Sequence, residues 1–227
     1  MKSHLSFEIN IVFDDKCPKR GFLTGFGFSA LIFNYFTDSF SLFDTGGKAN
    51  VLIHNIMKLK VNITSINHII ISHNHYDHAG GLKEVLHINP NANIYVPLND
   101  FKSFSRKFPN SQIHGISEMR EIEKNILISG QIKDFIPEQS VFLKTKDNEI
   151  IILVGCAHPG LEKFIMQAQN IAKIKAIIGG FHGFKKLSYL EDIEFIGACH
   201  CSRNINLIKE TFPNQFIHIC VGENYSF

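Results

Sequence analysis

Apolar and polar residues alternate from Phe7 to Phe13, with Phe7, Ile9, Ile11 and Phe13 set against Glu8 and Asn10. Successive side chains of an extended chain point to opposite faces, so this pattern predicts a half-buried strand. Residues 26–35 and 40–43 read as paired strands with Thr37-Asp38-Ser39 as the turn. Residues 140–145 and 149–154 read as a hairpin around Lys146-Asp147-Asn148. The stretches 67–72 and 149–154 and the run Ala176-Ile177-Ile178 are nearly continuously apolar, as strands covered on both faces are. Helical spacing sets Val51, Leu52, Ile56 and Leu59 together in 49–59, and Leu161, Phe164, Ile165, Ala168 and Ile171 in 160–174. Shorter helices are predicted at 81–88, 101–108, 189–196 and 205–212, and strands at 93–96 and 216–221. Residues 16–21 read as a loop, and 113–128 carries no single period. Strands come first, then strand and helix alternate, twice over. That order suits two β-rich halves packed face to face with helices outside. With 227 residues and no repeat, low-complexity tract or linker, residues 1–227 are expected to form one domain.

The run 67–72 delivers His73-Asn74-His75-Tyr76-Asp77-His78, three imidazoles and a carboxylate within six residues, followed by Ala79-Gly80-Gly81. Open α/β sheets commonly hold ligands at the carboxyl ends of their strands. Imidazole and carboxylate are the usual nitrogen and oxygen ligands of zinc and its neighbours. A fold gains little from crowding such polar groups at a strand end unless something binds them. His73 and His75, two residues apart, point to one side in extended backbone. Asp77 and His78 follow the start of a turn and can face a second position. Two metals sharing the loop is an easier geometry than one metal taking all four side chains.

Composition narrows the alternatives. With 23 basic and 21 acidic residues the net charge is +2, too small to imply a field for nucleic acid or an acidic membrane surface. Five cysteines, an odd number, give no disulfide framework. Cys156, Cys199 and Cys201 adjoin candidate ligands, and free thiols there suit a reducing cytosol. Met1-Lys2-Ser3-His4-Leu5 lacks the apolar core and cleavage pattern of a secretory signal. No stretch approaches the roughly 20 apolar residues that span a bilayer. The expected location is the cytoplasm, and nothing in the chain marks an oligomeric interface.

The spacing H-x-H-x-D-H after a buried strand resembles the signature of the metallo-β-lactamase superfamily. Phe43-Asp44-Thr45-Gly46-Gly47 resembles its Asp-Thr-Gly turn, and Gly155-Cys156-Ala157-His158-Pro159-Gly160 the segment carrying the next histidine. Gly179-Gly180-Phe181-His182 and Ala198-Cys199-His200-Cys201 supply two more, so the resemblance runs from about Gly25 to Gly222. It implies an α/β fold, the αββα four-layer sandwich, with strand ends at Ser72, Val154 and near Ala198 meeting at one mouth. It also implies that His73, His75 and His158 hold one divalent metal and that Asp77, His78 and His200 hold another. Three protein ligands per metal leave positions open for water and substrate. Zinc is favoured, because His75 stands where iron-using relatives that reduce oxygen carry Glu. Manganese and iron also suit imidazole.

The later segments are worded more like one branch, the 7,8-dihydropterin-6-methyl-4-(β-D-ribofuranosyl)aminobenzene 5'-phosphate synthases, which condense a pterin with an arylamine ribose phosphate. One departure from the wider superfamily stands out. Its bridging Asp is replaced here by Gly180-Phe181-His182, a feature the branch shares. A neutral imidazole has one free lone pair and cannot bridge two cations. His182 is therefore read as a terminal ligand, a substrate hydrogen-bonding group or an acid/base, and it joins Asp77 as a candidate catalytic residue. Ser202-Arg203 stands where the branch has Thr-Gly.

Other candidates follow from chemistry. Asp44 is expected to orient a ligand. Thr45-Gly46-Gly47 either binds phosphate through backbone N–H groups or is a plain tight turn. Cys199 and Cys201 flank His200 and, on extended backbone, point away from it as inert thiols. Phe181, Phe184 and Tyr76 are candidate walls for a pterin ring. Arg203 is a candidate for meeting an anion, and Lys185 and Lys186 are read as solvated. His4, His54, His68, His87, His114 and His218 are left as ordinary histidines. The expected function is a metal-dependent enzyme with a dinuclear site acting on an anionic, phosphorylated small molecule, as hydrolase or pterin-condensing transferase. The alternatives are a mononuclear iron redox enzyme and a non-catalytic metal-binding protein; the full ligand set argues against the latter.

Overall fold

The computed structural model describes residues 4–227. Residues 1–3, on which the reading of the N-terminal segment partly rests, lie outside the described residues.

Two sheets face each other. One holds seven strands: β1 (Phe7–Phe13), β2 (Ser29–Asn34), β3 (Ser39–Phe43), β4 (Ile66–Ile70), β5 (Asn93–Pro97), β6 (Gln112–Ile116) and β13 (Asn224–Ser226), in the order β13-β1-β2-β3-β4-β5-β6. The other holds β7 (Arg120–Glu123), β8 (Ile126–Ile128), β9 (Val141–Lys144), β10 (Glu149–Val154), β11 (Lys173–Gly180) and β12 (Phe195–Cys199), in the order β12-β11-β10-β9-β8-β7. Between them, Phe7, Ile9 and Ile11 of the first sheet pack in one apolar cluster with Ile151, Leu153 and Ile178 of the second. Helices α1 (Ala49–Lys58), α3 (Leu82–Ile88) and α4 (Phe101–Lys107) cover the outer face of the first sheet through Leu52, Ile56, Val85 and Phe104. Helices α5 (Leu161–Gln169) and α6 (Ile205–Thr211) cover the second through Phe164, Ile165 and Ile208. A short helix α2 (Tyr76–Ala79) lies in the histidine loop. This is the αββα sandwich, with one stripe of each amphipathic helix closing one sheet face.

The departures from expectation have local causes. Strand β1 is buried on both faces rather than one: an irregularity between Ile11 and Phe13 turns Phe13 to the helix side, where it joins Val12. Asn10 is tolerated there because its Nδ2 donates to Glu8 Oε1 at 3.0 Å. Residues 113–128 lack one period because the chain leaves the first sheet at Ile116 and enters the second at Arg120. The helix expected over 189–196 is instead a 3-10 turn, Leu187–Leu190, followed by edge strand β12. The helix expected to reach 174 stops at Gln169, and Ile174 belongs to β11. Residues 216–221 make only isolated pairings, Phe216 with Ile196 and Val221 with Pro18, and the last strand is β13. The cysteine count also misled. Cys17 and Cys220 are disulfide-bonded across 203 residues, leaving Cys156, Cys199 and Cys201 free. No helix among the described residues is long and apolar enough to cross a membrane.

One polar residue fastens helix α1 to the first sheet. Asn55 is fully buried, its Nδ2 donates to Val12 O and Leu23 O at 2.8 Å each, and its Oδ1 accepts from Leu23 N at 2.9 Å. Truncation leaves three backbone groups unpaired, so Asn55→Ala is expected to lose about 2–4 kcal/mol in urea unfolding. A loss under 0.5 kcal/mol would mean that the tether is dispensable.

Candidate metal centre

The carboxyl ends of β3, β4, β10 and β12 open at one edge of the sandwich, and the candidate side chains converge there. Their order comes from a ring of buried carboxylates. Asp44, directly after β3, is fully buried. Its Oδ1 accepts from Ser72 N at 2.7 Å, and its Oδ2 accepts from Ser72 Oγ and His78 Nδ1, both at 2.7 Å. Because Ser72 Oγ donates to Asp44, it accepts from His73 Nδ1 at 2.9 Å. One side chain thus sets the orientation of both His73 and His78, the position expected of a residue that orients ligands.

Two further carboxylate groups do the same from other segments. Glu138, fully buried, accepts from Cys156 N and Ala157 N at its Oε1 and from His158 N and Nδ1 at its Oε2, all at 2.8–2.9 Å. It thereby shapes the turn after β10. Asp14 Oδ1 accepts from His200 N at 3.0 Å, and Asp15 Oδ1 accepts from His200 Nδ1 at 3.0 Å. In all four rings Nδ1 is held and Nε2 is left to face the centre. Sequence reading missed Glu138, Asp14, Asp15 and Ser72. The adjacent pair Asp14-Asp15 was findable, since it follows β1 just as His73 follows β4. Glu138 stands in an irregular segment and carries no comparable signal.

The rings are close. His73 lies 4.6 Å from His75, 4.2 Å from His78 and 4.6 Å from His158, between ring centroids. His75 lies 4.9 Å from His158, and His78 lies 5.0 Å from His200. Two of the groups of donor atoms within 4.8 Å of one another contain the expected ligands: Asp77, His78, His200 and Cys156, and His73, His158 and Cys156. The structure therefore brings together the trio expected for one metal and two of the three expected for the other. His75 adjoins that second set by its ring but is outside the 4.8 Å grouping. His73 Nε2 is buried without a hydrogen-bond partner.

Electrostatics divide the rings: His73 and His78 are held neutral, whereas His200 carries its proton between two carboxylates. Burial, with His78 beside it, lowers the His73 pKa to about 3, and burial with His200 nearby lowers that of His78 to about 3. Both rings are thus neutral and keep a lone pair for a cation. Burial would raise Glu138, but His73 and the hydrogen bonds at His158 hold it below the usual carboxylate range. Burial pushes Asp44 up to about 8 against the pull of His73 and Ser72. Asp77 is lowered despite its burial, by His200 Nε2 at 3.1 Å and by His78. His200, flanked by Asp15 and Asp77, is raised to about 10 in spite of burial.

His182 stands apart, in neither group of donor atoms. Its ring is half-buried, 5.3 Å from that of His158, and its pKa is lowered by burial and by His158 and Arg203. It lines a cavity of about 370 Å³ with His158, Phe181, Phe184, Lys185 and Lys186. Two of the three aromatic residues expected as walls thus line one cavity. Tyr76, 69% exposed on the loop, does not line this cavity. Lys186 is paired with Glu162 at 2.7 Å. The Thr45-Gly46-Gly47 segment is a structural turn: Thr45 N donates to His78 O and Gly46 N to Phe28 O. Cys201 corrects its expected orientation. His200 has φ of +47°, not extended, and Cys201 Sγ comes back to within 3.9 Å of Cys156 O. At Gly27, φ is +139° and a Cβ would lie 2.1 Å from Asp77 O, so only glycine lets this segment pass under the loop.

Comparison with known proteins identifies the superfamily and the fold. The family model of the metallo-beta-lactamase superfamily matches residues 26–161. The chain belongs to that superfamily. It is 28% identical to the 7,8-dihydropterin-6-methyl-4-(beta-D-ribofuranosyl)-aminobenzene-5'-phosphate synthase of Methanocaldococcus jannaschii, over 82% of this chain and 84% of that one. It is 27% identical to an uncharacterised protein of the same organism, over 95% and 98%. Its fold is similar to that of the metallo-beta-lactamase fold protein YhfI of Bacillus subtilis, with a TM-score of 0.71 at 13% identity over 97% and 99% of the two chains.

The carboxylate ring gives a direct test. Asp44→Asn keeps the shape but presents an amide where one oxygen accepts from both Ser72 and His78. Affinity for zinc is expected to fall about 10–100-fold while the circular dichroism spectrum is retained. Unchanged affinity would mean that Asp44 serves the fold alone.

Proposed function

We propose that this protein is an enzyme that holds two divalent metal ions, zinc in kind, and acts on an anionic, phosphorylated small molecule by displacement at a phosphate or diphosphate ester. The observation that carries the reading is the buried, unpartnered Nε2 of His73, facing a cluster of imidazoles that buried carboxylates hold in place. A buried acceptor without a donor costs about 1–3 kcal/mol, and a cation at this position relieves it. His73, His75 and His158 form one ligand set in this reading, and Asp77, His78 and His200 the other. Bound there, such ions supply Lewis-acid stabilisation of an oxyanion and a water acidified toward neutral pH.

The chain's own groups do the rest. Asp44, Glu138 and Asp15 keep each Nε2 aimed inward by holding Nδ1. The cavity beside His158 receives the substrate, with Phe181 and Phe184 as an apolar wall and Lys185 as a cation for its phosphate. His182 takes or gives a proton at its ring nitrogen on the same wall. The name of the 28% identical relative supports the substrate class, since it describes a ribofuranosyl phosphate joined to a dihydropterin.

Elemental analysis of protein purified without chelator is expected to find about two zinc ions per chain; a single ion, or mostly iron, would overturn the dinuclear reading in favour of redox chemistry. Asp77→Asn is expected to remove metal and turnover together. His182→Ala is expected to retain both metals and to slow turnover of phosphoesters or pterin diphosphates by about 10²–10⁴-fold. Equal turnover would take His182 out of the reaction.

A further inference from the structure

The superfamily's bridging carboxylate is absent at Gly180-Phe181-His182, yet another side chain stands between the two donor groups. Cys156 is the one residue common to both: its Sγ lies within 4.8 Å of the donor atoms of Asp77, His78 and His200, and within 4.8 Å of those of His73 and His158. We propose that the Cys156 sulfur is a ligand shared by both metal positions, in the place of the missing bridging carboxylate. The inference rests on the dinuclear centre proposed above and adds a ligand to it.

Three observations point to the sulfur as a donor. Cys156 is 3% exposed, but its Sγ faces polar atoms, with His78 Nε2 at 3.2 Å. Cys199 shows what a packing cysteine looks like here: it sits in the apolar cluster between the sheets, among Ile151, Leu153 and Ile178. Cys156 belongs to none of the apolar clusters among the described residues. Next, its position is fixed from behind, because Glu138 Oε1 accepts from both Cys156 N and Ala157 N and so sets the turn that directs the side chain inward. Independently, the buried Nε2 of His73 has no hydrogen-bond partner and belongs with the same group of donors.

The chemistry of the atom suits the place. A thiolate carries several lone pairs on one centre and can bind two cations, whereas the free nitrogen of His182 offers one. The thiol proton leaves to solvent when a cation takes the sulfur, as metal binding to cysteine requires. A sulfur among imidazoles and one carboxylate also shifts preference towards zinc and away from manganese. His182, released from the bridging position, is then free to face the cavity where it is found.

The test is optical. Protein loaded with cobalt(II) in place of its native metal is expected to show a thiolate-to-cobalt charge-transfer band in the near ultraviolet. Cys156→Ser is expected to abolish the band and weaken binding of the second cobalt equivalent at least tenfold. Cys201→Ser is expected to keep both. Cys156→Ala, checked by circular dichroism, separates loss of the ligand from any effect of the serine hydroxyl. Two bound cobalt ions without the band in the wild type would overturn the sulfur ligand while leaving the dinuclear centre standing. A band that survives Cys156→Ser but disappears in Cys201→Ser would assign the sulfur to the wrong cysteine and overturn the proposal equally. Failure to bind cobalt at all would overturn both readings.

Discussion

The structure of the site depends on one carboxyl group held out of water. Asp44 sits with no exposure at the end of β3, and three hydrogen bonds of 2.7 Å converge on it. Two come from Ser72 and one from His78, so a single side chain holds both ends of the histidine loop. Removing a carboxyl from water is costly unless donors surround it. Here the donors are the loop itself, so the loop cannot relax without leaving that carboxyl unpaired. Glu138 repeats the device on the turn after β10, with four donors from Cys156, Ala157 and His158. The fold supplies rigid strand ends, and the carboxylates convert them into fixed imidazole directions.

That device supports unusual backbone at the site. Asp44, Ala157, His182 and His200 have φ of 57°, 58°, 44° and 47°. Non-glycine residues in this region cost about 1–3 kcal/mol each and persist where surrounding contacts over-determine them. At Asp44, Ala157 and His200 the hydrogen bonds to Ser72, Glu138 and Asp14 are those contacts, and at His182 the carbonyl accepts from Arg203 N at 2.8 Å. The same twist at His200 is what carries Cys201 back towards Cys156 instead of away from it.

Much of this was legible in the chain because its signals are local. The apolar runs before His73 and His158 read as strands covered on both faces; β10 is so from Ile150 to Val154, and β4 only at Ile69 and Ile70, with Asn67 exposed. The histidine spacing likewise marked side chains that the fold brings close to His158 and His200. What the sequence could not display was long-range partnership. Glu138 reads as an ordinary acidic residue until the fold sets it under His158, and Cys17 reads as a loop cysteine until Cys220 arrives beside it. The misplaced helix at 189–196 has the same origin. Phe195 and Ile196 fit a helical face as well as an edge strand, and pairing with Ala176 and Ile177 of β11 decides the matter. The region 113–128 was opaque because two sheets share it, and no one period describes a crossing.

The separation in sequence between His200 and the carboxylates that hold it, 185 and 186 residues, has a consequence for synthesis. A chain emerging from the ribosome carries Asp14 and Asp15 first, and has completed the cluster of His73, Cys156 and His158 before His200 is made. His200 is made only after these, and the strand that flanks β1, Asn224–Ser226, comes later still. Until then the edge of β1 is unpaired and two adjacent acidic side chains await their partner. The two groups of donor side chains are thus completed in a fixed temporal order, and a chain stopped short of residue 200 would carry one complete group and only part of the other.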